Sequence, residues 1–445
     1  MMLNDSKTSA QAPEPQVAAM QGATFQEEPR KPFILLLHAS VGSGHMTAAK
    51  AIAQALDDLK AAGFKVCPEQ PLDYEVEVVD SLEFGRIRFD GNKVASSFIG
   101  PMRGLYDIWW RYFLTGRIVW NGGTGWLHVM FPRFADYVRE RRPDAIVCTH
   151  ITAANIAVGA RMVTKQDFPI ICVPTDYEVE GQFPAQYTDL FCTASQFMSD
   201  TLLARKVRPD RILETGIPVR PDFTKKYDKS TERKRWGLPA DKKIALMLTG
   251  ASLPKPYERL RATLMELMPR LRDFPNMEFV FIAGRDEEYR ARIEAVVEAI
   301  GLTNVRVFGY INGIASLMAA CDFTICKPGG LSSTECLCSD LPMILVGDAY
   351  GQEKINVRML TAAEASLHAS DADELYTLLQ GISNSDAVLD GLAANSRKLK
   401  KPYAAIDIAT ATLDLAYARR DEKTLAERKQ WHGLVGWGHK PAHRR

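Results

Sequence analysis

Residues 322–356 read DFTICKPGGLSSTECLCSDLPMILVGDAYGQEKIN, and the alternation of apolar runs and breakers in this stretch decides the fold. The run 323–326 (FTIC) is short and apolar and stops at Lys327-Pro328-Gly329-Gly330, the pattern of a buried parallel strand ending in a tight turn. Ser332, Ser333 and Thr334 are helix-start residues, which predicts a helix with Glu335 in its first turn that ends before Asp340-Leu341-Pro342. A second apolar run, 343–346 (MILV), completes strand, glycine turn, helix, strand. Such a unit offers a ligand backbone that can be approached closely, the N–H groups of a helix start, and a carboxylate suited to a pair of sugar hydroxyls. The glycine pair on its own also fits a plain βα turn, with Glu335 as a favourable charge near the helix start. Gly351-Gln352-Glu353 and Asn356 follow the next strand, where open α/β sheets bind ligands, and they favour the binding reading.

The same grammar occurs near the start of the chain. Residues 33–37 (FILLL) form an apolar run that enters His38-Ala39-Ser40-Val41-Gly42-Ser43-Gly44-His45, and an alanine-rich helical pattern begins near Met46. Only Gly42 and Gly44 are present, so this is not a dinucleotide fingerprint, and no Gly-Lys-Ser/Thr makes it a Walker loop. His45 stands at a helix N-terminus, where a neutral imidazole of low pKa suits proton abstraction from a hydroxyl; a capping or surface histidine is the plainer reading.

Taken together, these residues closely resemble the glycosyltransferase family that contains monogalactosyldiacylglycerol synthases, bacterial processive diacylglycerol glucosyltransferases and, more distantly, the N-acetylglucosaminyltransferase that makes lipid II. Lys-Pro-Gly-Gly, a hydroxyl residue, Glu, Leu-Pro-Met, Gly-Gln-Glu and Asn stand in the family's order and spacing, as does the Gly-x-Gly-His loop. The resemblance runs from about residue 33 to 415. It implies an α/β protein of two doubly wound Rossmann-like domains facing across a cleft, the GT-B arrangement, with lipid acceptor on the N-terminal domain and UDP-sugar on the C-terminal one.

By resemblance His45 is catalytic, and Gly44, His150, Asp176, Tyr106 and Trp109 border the acceptor. Gly250, Ser252, Phe308, Lys327, Gly329, Gly330, Leu331, Ser332, Glu335, Gln352, Glu353 and Asn356 border the donor. Phe308 lies in the loop expected to meet the uracil ring, Glu335 would bind the ribose hydroxyls, and Gln352 and Glu353 would face the sugar. His150 also suits a structural hydrogen bond, and Asp176 a strand-end turn. No aspartate-rich metal motif stands in the donor region, so the expectation is no metal and no cofactor, with UDP-sugar as co-substrate and backbone amides holding the leaving group. Ser40 stands where plant-type relatives carry Asp, and Glu180 and Phe183 stand where relatives have His and Trp. With Ser40 no carboxylate base is available at that position and the weight falls on His45, while the departures at Glu180 and Phe183 weaken any transfer of acceptor or sugar choice from the relatives.

Composition agrees with this frame. A chain of 445 residues with 46% hydrophobic content has room for two large domains. A formal net charge of +1 gives no global field that would draw nucleic acid. The eight cysteines lack zinc-ligand spacing and read as reduced core thiols. Residues 1–30 read as a disordered leader, 31–222 as the acceptor domain, 235–402 as the donor domain, 403–420 as a helix bracing the first domain and 421–445 as a basic tail. Neither a signal peptide nor an 18-residue apolar run is expected, whereas residues 96–131 interleave aromatics with arginines in a way that suits a bilayer interface or a packed helix.

The expected activity is inverting transfer of a hexosyl group, glucose or galactose, from UDP-sugar to diacylglycerol. The enzyme would be cytoplasmic and peripheral on the anionic inner face of the cell membrane. A UDP-sugar 2-epimerase-like isomerase and a non-catalytic UDP-sugar or lipid-binding protein are the alternatives.

Overall fold

The computed structural model describes residues 31–71, 73–86, 130–179, 183–249, 258–347 and 352–418. The expected leader, tail and most of the aromatic segment, including Tyr106 and Trp109, lie outside these residues, as do Glu180, Gly250 and Ser252.

Two six-stranded sheets carry the chain. The first holds β1 (Phe33–His38), β2 (Glu75–Asp80), β3 (Ala145–Cys148), β4 (Ile170–Cys172), β5 (Leu190–Thr193) and β6 (Ile212–Glu214), in the order β2-β1-β3-β4-β5-β6. The second holds β7 (Lys243–Leu248), β8 (Met277–Ile282), β9 (Val305–Phe308), β10 (Phe323–Cys326), β11 (Met343–Val346) and β12 (Ser366–Ala369), in the order β12-β11-β10-β7-β8-β9. Every neighbouring pair is parallel. Strands covered on both faces read as continuous apolar runs, and FILLLH, AIVC, FTIC and MILV are buried throughout.

Strand order reverses between β1 and β3 in one sheet and between β7 and β10 in the other. Ligand sites in open α/β sheets form at the carboxyl ends of strands at such switch points. Those ends lead into the His45 loop and Thr149 in the first sheet, and into the 327–330 turn in the second.

From sequence the apolar run 190–193 (LFCT) reads as the last strand of the first half, but β6 follows it in the sheet. Its residues ILE are half-exposed on an edge, so no apolar run announces it. The charged stretch 225–234, which from sequence reads as a linker, runs into a short helix, Lys229–Arg235, whose start is capped by the Asp228 side chain accepting from Thr231 N–H. Near the end of the described chain, helix Ala404–Leu413 returns to the first sheet. Its Ala405, Ile408, Ala409 and Leu413 pack in one core with Ile52, Ala55 and Leu56 of helix α1 (Gly44–Ala61).

Candidate active site

Helix α1 begins without a side-chain cap: the Ser43 side chain accepts no hydrogen bond from it, and only the Ser43 carbonyl does, from Thr47 N–H at 3.0 Å. Gly44 faces the other half of the molecule. A β-carbon built on it would meet Leu331 Cβ at 3.8 Å. Leu331 lies in the first turn of helix α2 (Gly330–Cys338), which follows the Lys327-Pro328-Gly329-Gly330 turn and also lacks a side-chain cap. Two helix N-termini, one from each sheet, therefore meet here, and both contribute positive potential to the same place.

His45 Nδ1 lies 2.9 Å from the Thr149 carbonyl oxygen and 2.9 Å from Thr175 Oγ1. A carbonyl only accepts, so Nδ1 carries the proton and donates it to Thr149, which leaves Nε2 with a free lone pair. Thr149 Oγ1 donates back to the His45 carbonyl at 2.9 Å, closing the ring's support. Burial pushes the imidazole below its usual pKa; Asp176 and the Thr149 carbonyl oppose the shift, and His38 and Lys327 add to it. The lowered pKa favours the neutral imidazole at pH 7.

His150 caps helix Ile151–Thr164 by accepting from Thr152 N–H at 3.1 Å through Nδ1. Burial holds its pKa well below the usual value, with His45 and His38 adding to the shift. Its ring stands edge-on to His45, with centroids 4.5 Å apart and planes at 80°. The capping bond and the border of the cleft thus belong to one residue. A small pocket opens beside the two rings, lined among others by Thr175, Asp176, Glu178 and Phe183.

The 327–330 turn is tied to this region by direct contact. A β-carbon on Gly330 would lie 2.1 Å from the Thr175 carbonyl oxygen and 2.9 Å from Asp176 Cα, so only glycine permits the halves to approach. Close packing between the sheets is therefore what demands Gly330. Helix α2 starts at this residue, earlier than the serines predicted, because extended Gly329 (φ −79°, ψ 137°) serves as its N-cap through the backbone. Glu335 consequently lies beyond the first turn. Ser332 and Leu331 are half-buried on the opening turn.

Asn356 is expected from the resemblance to border the donor. It is 0% exposed, and its amide is committed within the protein: Nδ2 donates to Asp176 Oδ1 (2.8 Å) and to the Pro328 carbonyl (3.0 Å), while Oδ1 accepts from Tyr177 N–H (3.0 Å). Glu353 pairs with Lys327 across the mouth of the turn. The side chain of Gln352 lies outside the described residues. Phe308 turns its ring edge-on to Trp236, with centroids 6.0 Å apart, and its carbonyl accepts from Ala283 N–H at 2.8 Å. Tyr310, 56% exposed with the Arg285 guanidinium 4.1 Å above its ring, is the open aromatic of that loop.

Glu335 is largely buried, which raises its pKa to about 7 against the opposing pull of Arg220. Arg220 Nη2 stands 4.0 Å from its carboxylate. Sequence reasoning passed over Arg220; the available signal was its place in the rigid Gly216-Ile217-Pro218-Val219-Arg220-Pro221 crossing between the sheets.

Residues 45–219 match the family model described as monogalactosyldiacylglycerol (MGDG) synthase, and residues 256–408 the one described as glycosyltransferase family 28 C-terminal domain. Two facing doubly wound sheets with these matches define a glycosyltransferase of the GT-B class. The chain belongs to the family of monogalactosyldiacylglycerol synthases and processive diacylglycerol glucosyltransferases. It is 24% identical over 371 residues to a processive diacylglycerol beta-glucosyltransferase of Bacillus licheniformis, covering 82% of this chain and 90% of that protein. A protein of the same name from Staphylococcus epidermidis is 22% identical over 390 residues, covering 86% and 92%. Among solved structures, MurG of Acinetobacter baumannii superposes with a TM-score of 0.54 at 15% identity, covering 85% of this chain and 98% of that one. MnaA of S. aureus with UDP gives 0.55 at 13%, covering 85% and 94%. These structural likenesses speak for the fold.

Proposed function

We propose that this protein transfers a hexosyl group from a UDP-sugar to the free hydroxyl of diacylglycerol with inversion at the anomeric carbon. The observation that carries the reading is the neutral His45, proton on Nδ1 and lone pair on Nε2, set where two helix N-termini meet.

In this reaction Nε2 takes the proton of the acceptor hydroxyl as its oxygen attacks the anomeric carbon. The bond from that carbon to the β-phosphate oxygen breaks, and UDP leaves from the opposite face. The imidazolium formed keeps its Nδ1 bond to Thr149 and gains from the nearby Asp176 carboxylate. Charge on the departing diphosphate meets the uncapped N–H groups of α2 and the Lys327 ammonium, with no cation called for. Ionised Glu335 accepts from the ribose hydroxyls, with Arg220 supporting its charge. Diacylglycerol as acceptor rests on the names of the relatives, and UDP as carrier on the UDP-bound MnaA neighbour. Glucose or galactose is the expected sugar, and the anionic inner face of the cell membrane the expected workplace. Among the described residues no helix is long and apolar enough to cross a membrane.

The test is radiolabel transfer from UDP-glucose and UDP-galactose to diacylglycerol in phosphatidylglycerol micelles. Label in the lipid fraction, with UDP release dependent on lipid, supports the proposal and names the donor. Interconversion of sugar nucleotide without lipid would mark an isomerase, and UDP-sugar binding with no turnover on any acceptor would mark a binding protein.

A further inference from the structure

Asn356 is fully buried, comes from the donor half, and has every hydrogen-bonding group of its amide engaged. The donors point at a carboxylate and a carbonyl, and the acceptor receives a backbone N–H, so these partners fix the orientation of the amide. One bond holds the donor turn at Pro328. The other two hold the loop of the first half at Asp176 and Tyr177. Thr175, the residue before Asp176, hydrogen-bonds His45 Nδ1. Tyr177 adds a parallel tie: Thr334 donates to the Gly330 carbonyl at 2.8 Å, so the Tyr177 hydroxyl donates to Thr334 Oγ1, also at 2.8 Å. Gly330 packs directly under the same loop.

We propose that Asn356 is a positioning residue for transfer: it fixes residues 175–177 to the donor turn and through Thr175 orients the His45 imidazole, without itself touching the sugar. The inference rests on the reading of His45 as the base. Its physical content is that the geometry of the base is set from the donor half. A small misplacement of a reacting group lowers turnover far more than it lowers ground-state binding. Asn356→Asp is the sharp test because it keeps volume while setting a carboxylate against the Asp176 carboxylate. Asp176→Asn combined with Asn356→Asp restores an amide–carboxylate pair across the interface.

The experiment measures kcat and KM for UDP-glucose with diacylglycerol, Kd for UDP by calorimetry, and the titration of His45 by nitrogen-15 imidazole NMR. The proteins are the full chain and its Asn356→Ala, Asn356→Asp, Asp176→Asn and Asp176→Asn/Asn356→Asp variants, each checked for folding by circular dichroism. Expected is a loss of kcat of about 100-fold in the single variants with UDP Kd within about threefold of the parent. The His45 titration should move toward the ordinary imidazole value, and the double variant should recover more than the product of the single effects. A raised KM for UDP-glucose with unchanged kcat and unchanged His45 titration would make Asn356 a sugar ligand and overturn the proposal. Should the parent transfer no sugar at all, the reading of function fails, and the His45 titration decides the coupling separately: a spectrum unmoved by Asn356→Ala ends it.

Discussion

Gly330 and Thr175 stand so close that a single added methyl on the glycine would lie 2.1 Å from the threonine's carbonyl oxygen. Because the obstacle is backbone, no rotamer change relieves it, and the two halves must separate to admit any side chain. Gly330→Ala is therefore expected to cost about 1–3 kcal/mol of stability by overpacking and to suppress turnover more strongly than UDP binding. Thermal unfolding and steady-state kinetics on the same preparation check this, and a fully active Gly330→Ala enzyme would contradict the contact.

The pH profile should report the neutral imidazole. His45 has its pKa lowered from 6.5, chiefly by burial, so the basic form needed for proton abstraction persists below that value. Expected is a kcat at saturating UDP-sugar, where the Glu335 ionisation that governs donor binding drops out, that holds down to pH 6.5 and falls only on further acidification. An acidic limb centred above 6.5 would oppose the assignment.

Glu335 makes a prediction of opposite sign for stability and for binding. Its carboxyl titrates near 7 in the fold and near 4.5 when free, so the folded protein binds this proton more tightly than the unfolded chain. Its contribution to stability is thus full below about pH 4.5 and is lost as pH rises through about 7. Glu335→Gln should flatten that part of the stability curve of the unliganded protein. UDP affinity of the parent should instead rise from pH 6 to 8 if, as proposed, the ionised form accepts the ribose hydroxyls, and calorimetry across that range reads it. A UDP affinity equal in parent and Glu335→Gln at pH 8 would remove Glu335 from the ribose.

Leaving-group charge is assigned to helix N–H groups and Lys327, not to a cation. EDTA at millimolar concentration should therefore leave the transfer rate within about twofold, whereas Lys327→Met should lower kcat by roughly 100- to 1,000-fold, the range for losing one charge-stabilising group. Loss of activity in EDTA with recovery on adding magnesium would overturn this.

Local signals in the sequence carried the two strand–turn–helix units because each is decided by neighbours along the chain: FILLL into His45, FTIC into Lys327-Pro328-Gly329-Gly330. What escaped was set by contacts distant in sequence. The need for glycine at 330 comes from Thr175, and the engagement of Asn356 comes from Asp176 and Tyr177, neither of which any spacing reveals. The helix start was misplaced by two residues because a backbone N-cap at Gly329 leaves no side-chain signature, while the serines that follow do. The edge strand β6 and the partnership of Arg220 with Glu335 were hidden for the same reason, one weakly apolar and the other long-range.

The most direct measurement is the fate of UDP-α-glucose and of UDP-α-galactose with diacylglycerol, using the parent protein and His45→Ala, followed by proton NMR of the lipid product. The account predicts a β-linked glycolipid from the parent with at least one of the two donors. It predicts a rate lowered by about 100- to 10,000-fold in His45→Ala while UDP binding is kept. An α-linked product, or a His45→Ala enzyme as fast as the parent, would contradict it.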